Sequence, residues 1–400
     1  MIWSRGSLRQ TFVAVAVASL LAGCTPSQSG KPSASPSAEK PRQTASVHQP
    51  LVVPATTPVV LFHDPANGHQ VDGVTWDGTT FGRVSATGGG AEVVPNPTAT
   101  VYAEYDDRGI YDRTGRLLTR PFNGTQPDFG TWADDGQHYC QMVAGSSPDL
   151  PGTLVLGMIG EQPRNIAQLG PIDSRSDSAA VAACSVERDR AVVFGAAASA
   201  PTLWVVMLST GRVLWQRSYA VPQMHPNLYL VASRDGQYIA ENRQDWDHPV
   251  DGHPAYTATV LGADGSILTR VVGQIDQFSW DGSLAVVNSA APTYTYPGAA
   301  PPSVLNWRNG QVIWKAPEGV EYWNALPEPG GRHLAVAVLS DAGIAFGRGD
   351  YHAWTYGLPP QDLYAVGPDG QAFELLEMTS VAFPTCLPNR CSPSPGWDKR

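Results

Sequence analysis

Three stretches of the chain carry side chains that could do chemistry. In DWDHPVDGH, Asp245, Asp247, Asp251 and His253 crowd into nine residues. Carboxylates and an imidazole at that density could hold a hard cation such as calcium. The spacing is not that of an EF-hand loop, because the third ligand would fall at Pro249. The plainer reading of these residues is a solvated loop between two strands of one sheet. His63, Asp64, His69 and Asp72 form a second, looser cluster of the same kind. The third stretch is GDYHAWTYGLPP, ending at Pro360. Its His352, Trp354 and Tyr356 sit in a long insertion, where aromatic side chains are candidates for ligand contact. The alternative is a loop packed down on a sheet edge.

No nucleophile elbow, P-loop, HExxH or dinucleotide fingerprint occurs in the sequence. No cofactor other than the cation is implied. The formal net charge is −10, and arginines are scattered singly among the 26 basic residues. A chain with no basic stripe has no footprint for a phosphate backbone, which excludes nucleic acid as the expected partner. Four cysteines lie in the body of the chain: Cys140, Cys184, Cys386 and Cys391. Their spacing lacks the paired CxxC of a zinc site. Three pairings are open. Cys386 and Cys391 bracket a short Pro-Asn turn in TCLPNRC and could close a local loop, which would leave Cys140 for Cys184; free buried thiols are the alternative.

These residues must be carried by something, and the sequence repeats itself around them. One family of segments reads VTWDGTTFGRV (from Val74), TWADDGQHYCQMV (from Thr131), VASRDGQYIAEN (from Val231), QFSWDGSLAVV (from Gln277) and LPEPGGRHLAVAV (from Leu326). CSVERDRAVVFG, from Cys184, fits the same frame without a glycine. Each is a short strand, a tight turn and an apolar strand. Asp-Gly between such strands is a hairpin signal, with both central residues expected at positive φ. A second family includes WVVMLSTGRVLWQ (from Trp204), TATVLGADGSILTR (from Thr257) and SVLNWRNGQVIWK (from Ser303), and its members are hairpins too.

The two families alternate. First-family turns fall at Gly78, Gly136, Asp189, Gly236, Gly282 and Gly331, and second-family turns at Gly115, Gly160, Gly211, Gly265, Gly310 and Gly370. Each consecutive pair then marks one four-stranded antiparallel unit. Successive first-family turns lie 58, 53, 47, 46 and 49 residues apart, the spacing of β-propeller blades. The expected fold class is all-β, a β-propeller of four-stranded antiparallel blades. Six repeats are visible, and residues 51–73 with 378–400 could supply a seventh blade; seven is favoured over six or eight. TGGGAE, from Thr87, reads as an insertion or a crossing between blades. Trp204, Trp215 and Trp314 fall on strands and are expected between blades.

Ser279-Trp280-Asp281-Gly282-Ser283 and Ser233-Arg234-Asp235-Gly236-Gln237 resemble the Ser-Pro-Asp-Gly-Lys turn of TolB-like and other WD-repeat-like bacterial propellers. Thr210-Gly211-Arg212-Val213-Leu214-Trp215 is similar to quinoprotein-type repeats. The resemblance covers about residues 70–377 and implies the propeller fold. It does not extend to chemistry: several quinoprotein enzymes carry adjacent cysteines at the cofactor, and no Cys-Cys pair exists here. The Ser-x-Asp-x-Gly box of sialidases is missing as well.

The first fifty residues read as an address. Arg5 and Arg9 precede the apolar run TFVAVAVASLL, too short to span a bilayer. Leu21-Ala22-Gly23-Cys24 resembles the lipobox of bacterial lipoproteins. The resemblance implies removal of residues 1–23 as a signal peptide and acylation (palmitate among the chains) of Cys24. Residues 24–50 are rich in serine and proline and poor in apolar groups, as expected of a tether. Residues 51–400 then form the propeller domain, held at the extracytoplasmic face of the bacterial cell membrane.

Two functions from different classes fit. The first is a monomeric, non-catalytic binding or scaffolding module for a protein or glycan partner in the envelope. The second is a propeller hydrolase of lactonase or glycosidase type, with its site at the central funnel. Three or more carboxylates or histidines converging at one channel mouth would favour the enzyme. A mixed funnel with an aromatic patch at its rim would favour docking.

Overall fold

The computed structural model describes residues 49–64, 67–86, 93–104, 109–120, 130–143, 150–170, 179–197, 200–219, 228–250, 253–288, 301–318, 320–339 and 361–378. All of them belong to one compact unit, Pro41–Arg400. Every regular element among them is a β-strand, so no described helix is long and apolar enough to cross a membrane.

The strands pair as seven antiparallel sheets in chain order, the blades of a β-propeller. The first holds β1 (Val59–Asp64), β2 (Asn67–Thr75) and β3 (Phe81–Ala86). The second holds β4 (Val93–Pro95), β5 (Val101–Glu104), β6 (Ile110–Asp112) and β7 (Leu117–Thr119), and the third β8 (Thr131–Trp132), β9 (His138–Val143), β10 (Gly152–Met158) and β11 (Arg164–Leu169). The fourth is β12 (Ala179–Ser185), β13 (Arg190–Ala197), β14 (Ala200–Met207) and β15 (Val213–Ser218). The fifth is β16 (Leu228–Ala232), β17 (Tyr238–Val250), β18 (His253–Gly262) and β19 (Ile267–Val272). The sixth is β20 (Gln274–Phe278), β21 (Ala285–Asn288), β22 (Ser303–Asn306) and β23 (Gln311–Lys315). The seventh is β24 (Glu321–Pro327), β25 (Leu334–Leu339), β26 (Gln361–Val366) and β27 (Ala372–Met378). The first strands of the third to seventh blades touch in succession around the axis.

The bonding inside the first-family turns explains their sequence. In the sixth blade the Ser279 hydroxyl accepts from Leu284 N (2.9 Å) and donates to Asp281 Oδ1 (2.7 Å), which also accepts from Ser283 N (2.9 Å). Ser233 and Asp235 repeat this in the fifth blade, and Thr75 and Asp77 in the first. Gly282 N closes the turn onto Ser279 O at 2.9 Å. Gly282 has φ +66°, whereas Asp281 is not among the positive-φ residues. The turn is therefore a type I turn followed by one left-handed residue, not the two-residue turn expected from Asp-Gly. Aspartate is present for its carboxylate, glycine for its φ.

Three further expectations need correction. The glycine at positive φ in the seventh blade is Gly330 (φ +65°), one residue before Gly331. The turns at Gly78 and Gly115 belong to different blades, because the second blade has its own first turn at Asn96–Ala99. There Asn96 replaces both serine and aspartate, its Oδ1 accepting from Thr100 N (2.9 Å) and Val101 N (3.2 Å). Ala99 takes the glycine's place at φ +53°. Residues 87–92 lie outside the described residues, between β3 and β4, where a blade crossing was expected. Finally, DWDHPVDGH is mostly strand: β17 and β18 form one long hairpin, with Asp245 opposite Ala255.

Blades bury their faces on each other through small and branched side chains. Between the fifth and sixth, Ala240, Ala258 and Val260 meet Ile275, Phe278 and Ala285, all essentially inaccessible to water. Trp204 is buried, and Trp215 and Trp314 are partly buried against the inter-blade clusters, as expected of strand tryptophans. Three second-family glycines sit against the preceding blade: Gly211 on Ile166 O, Gly265 on the Trp215 ring and Gly370 on Ile313 O. Cys140 on β9 and Cys184 on β12 form a disulfide that ties the third blade to the fourth. Cys386 and Cys391 lie outside the described residues.

The chain enters the ring along the first sheet. Leu51 N donates to Arg83 O and Arg83 N to Gln49 O, both at 2.8 Å, so this segment flanks β3. Arg113, at the end of β6, then clasps the next turn. Its guanidinium donates to Ala99 O (2.6 Å), Thr98 O (3.0 Å), Pro54 O (3.2 Å) and Thr57 O. Burial draws its pKa down to about 10, so it remains charged at neutral pH.

Candidate functional site

The first-family turns gather at one end of the ring. Gly136 packs on Asn96, Gly236 on Arg190 and Gly282 on Tyr238, each on the blade before. The Asp134 carboxylate joins its turn to the fourth blade by accepting from Ser185 Oγ and from Val186 N (2.9 Å). The first, third and fourth residues of each turn have bonding or conformational duties. The second residue takes no part in the turn's internal bonding, so its side chain is left to face outward or inward; in the third blade it is Asp134, which reaches the fourth.

At the axis these second residues meet. A cavity of about 50 Å³ is lined by Arg234 of the fifth blade, Trp280 and Gln277 of the sixth, Leu326 and Pro327 of the seventh, Trp76, Val59 and Leu61 of the first, and Pro95, Asn96, Pro97 and Ala99 of the second. Sheets from opposite sides of the ring share a cavity only where the ring closes on its centre, so this is the channel mouth at the turn end. Trp76, Pro97, Arg234 and Trp280 are each the second residue of a turn. Sequence reasoning set these residues aside as hairpin construction. The missed signal was variation at one position, x in Ser-x-Asp-Gly, within an otherwise repeated motif.

Arg234 is the charged group of the mouth. Its guanidinium carbon lies 5.8 Å from the centre of the Trp280 ring, a cation–π arrangement. Its Nε is shielded from solvent and has no hydrogen-bond partner. Burial lowers its pKa to about 10, and the Asp134 charge acts in the opposite direction. Asp134 does not bond it, since its oxygens serve Ser185 and Val186. Trp76 Nε1, on the same cavity, is likewise shielded and without an acceptor. Asn96 has its amide committed to Thr100 Oγ1 and Gly136 O, both at 3.0 Å.

Two other features are parts of the blade seams. A shallow groove of about 570 Å³ runs between the fourth and fifth blades, past Leu214, Trp215, Tyr238, Asp264 and Leu268. Its tryptophan is engaged already, with Gly265 on its ring and Nε1 donating to Ala263 O. Deeper in that seam Glu241 is buried and accepts from Arg217 Nη1 (2.9 Å) and from Tyr219 Oη. Burial and the neighbouring Glu241 carboxylate raise the Tyr219 pKa, leaving that hydroxyl a donor. These contacts join two blades and leave no reacting group exposed.

Of the site residues expected from sequence, His352, Trp354, Tyr356 and Asp251 lie outside the described residues, as does Cys24. Asp245, Asp247 and His253 are placed by their backbone on β17 and β18. The second cluster falls on the β1–β2 hairpin, where Asp72 is buried. Among the described residues no three histidines, cysteines or carboxylates come together as a metal site.

No protein-family profile matches the chain, and no curated protein does. Many solved structures match in fold. TolB from Acinetobacter baumannii is 12% identical over 81% of this chain and 64% of its own, with a TM-score of 0.38. The chain thus spans just under two-thirds of that protein. The dihydro-heme d1 dehydrogenase NirN matches at 12% identity over 86% of this chain and 79% of its own (TM-score 0.41). An acylaminoacyl peptidase matches at 10% over 80% and 46% (TM-score 0.42). Likenesses at these identities concern the fold only.

Proposed function

We propose that the protein is a non-catalytic binding propeller of the bacterial cell envelope, anchored by lipid on Cys24, which docks a protein partner at the turn-end mouth. The observation that carries this reading is the make-up of the mouth: two tryptophans, prolines and aliphatic side chains around a single arginine. Small-molecule sites usually enclose roughly 300–1,000 Å³. A cavity of about 50 Å³ admits the tip of one side chain, with the rest of the partner lying across the rim. A glycan fits less well, because one face of Trp280 is already covered by Arg234. Partly buried tryptophan and arginine side chains of this kind are what interfaces use as hot spots.

The test is site-specific photocrosslinking in the protein's native membrane. A photoreactive residue at Pro97 should give a discrete crosslinked product, and one at Leu214, on the outer seam, should not. Crosslinking from Leu214 and none from Pro97 would move the interface away from the mouth.

A further inference from the structure

Two donors at the mouth are without partners. Arg234 Nε and Trp76 Nε1 are both shielded from solvent and both lack partners, and both line the same cavity. The nearby polar groups are turned to other partners: Asp134 accepts from Ser185 and Val186 of the fourth blade, and Asn96 bonds within its own turn and to Gly136 O. Buried donors are ordinarily paired, and an orphan calls for an explanation. Two orphans from different blades lining one cavity, one of them a cation, call for a ligand that accepts. Amides, hydroxyls and ammonium groups bring donors of their own and would leave some of them unpaired here.

We propose that the mouth recognises a carboxylate presented by an extended acidic segment of the partner protein, with Arg234 as its cation and Trp76 as the second donor. The inference rests on the docking reading above. Guanidinium is planar and matches a carboxylate edge through two parallel bonds. The Trp280 ring lies on one side of it, 5.8 Å from the guanidinium carbon, which limits the freedom of the side chain before any ligand arrives. A cavity of about 50 Å³ is small enough to favour a compact group such as a carboxylate. Prolines at 95, 97 and 327 and Leu326 give the segment dry, rigid walls. The chain as a whole is acidic, at −10, so an acidic partner is drawn by this one local cation and not by the protein's general field.

The experiment is calorimetric titration of the full chain at constant ionic strength and neutral pH. The probes are acetyl-Pro-Glu-Pro-amide, acetyl-Pro-Gln-Pro-amide and inorganic phosphate. The glutamate peptide should bind saturably, and the glutamine peptide and phosphate at least tenfold more weakly. Arg234→Met should cost at least tenfold and Arg234→Lys less. Trp76→Phe, which keeps a ring and removes the donor, should cost several-fold. Thermal melts establish that each variant is folded; if Arg234→Met is not, Arg234→Lys and Trp76→Phe carry the test. Equal binding of the glutamine peptide, preference for phosphate, no saturable binding, or full affinity in folded variants would each overturn the proposal. A crosslink from Pro97 that persists undiminished in Arg234→Met would leave docking standing and remove the carboxylate.

Discussion

Replacing Gly282 by alanine should destabilise the ring for two separable reasons. The first is backbone strain: φ is +66° at this residue, and a side chain in the left-handed region costs about 1–2 kcal/mol. The second is a collision. A Cβ would lie 2.6 Å from Tyr238 Cδ2 and 2.8 Å from Cε2. That ring cannot swing aside, because Trp307 packs at 5.0 Å between ring centres and the Arg308 guanidinium covers it at 4.8 Å. Overpacking of this kind costs about 1–3 kcal/mol. The total for Gly282→Ala is then roughly 2–5 kcal/mol.

Gly310 supplies the control from the same blade. Its φ is +74°, and nothing lies within 4 Å of where its Cβ would be. Gly310→Ala should therefore show the strain alone, about 1–2 kcal/mol. Urea unfolding of both variants measures the difference, provided the slope with denaturant is unchanged. Tyr238→Leu, placed in the Gly282→Ala background, should recover part of the loss, so the pair will be less than additive. Equal costs at Gly282 and Gly310, or strict additivity with Tyr238→Leu, would refute the claim that the turn glycine is required by the neighbouring blade as well as by its own φ.

Three further outcomes follow from the contacts described. Arg113→Met removes a partly buried cation from four carbonyls; it should cost about 1.5–3 kcal/mol and speed proteolysis near Pro54, as followed by limited digestion. Converting Cys140 and Cys184 to serine opens a loop of 44 residues, a loss of about 4 kcal/mol on the chain-entropy account, measured against the oxidised protein in urea. Burial tends to raise the Asp281 pKa, but bonds from Ser283 and Ser279 and the Arg332 charge outweigh it and leave the carboxyl below its usual value. Stability from this group is therefore complete above the ordinary carboxylate pKa near 3.8 and is lost as pH falls below it; Asp281→Asn should flatten that part of an acid-unfolding curve.

The fold was legible because each blade repeats hairpins with internal reasons for their sequence. Strand alternation and repeated turns, all but the one at Asp189 containing glycine, sufficed to locate β8 to β27. The second blade escaped notice because Asn96 performs alone the work of serine and aspartate, and because Ala99 accepts a positive φ that glycine usually takes. Both are chemically sound substitutions that erase the written motif. Counting left the pairing of Cys140 with Cys184 as one of three open arrangements, and both the pairing and its role in joining two blades required knowing that β9 and β12 are neighbours. The mouth was illegible for a different reason. Its residues lie far apart in sequence, from Val59 to Pro327, and each looks like part of a hairpin until the hairpins are set in a ring.

The turn itself explains how a structural repeat can also carry recognition. Ser279, Asp281 and Gly282 are fixed by hydrogen bonds and by φ, so altering any of them is answered by the stability of the blade. Trp280 contributes nothing to that bonding, and the same is true of Arg234 and Pro97 in their turns. A side chain at this position can therefore change without unmaking the hairpin that presents it. Because successive turns stack at one end of the ring, these exempt positions are delivered together around a single axis. In this chain they hold tryptophan, proline and arginine, with Asp134 at the corresponding place in the third blade steering the arginine's charge without bonding it. The stability of the ring and the chemistry of its mouth are thus encoded at alternating residues of the same four-residue turn.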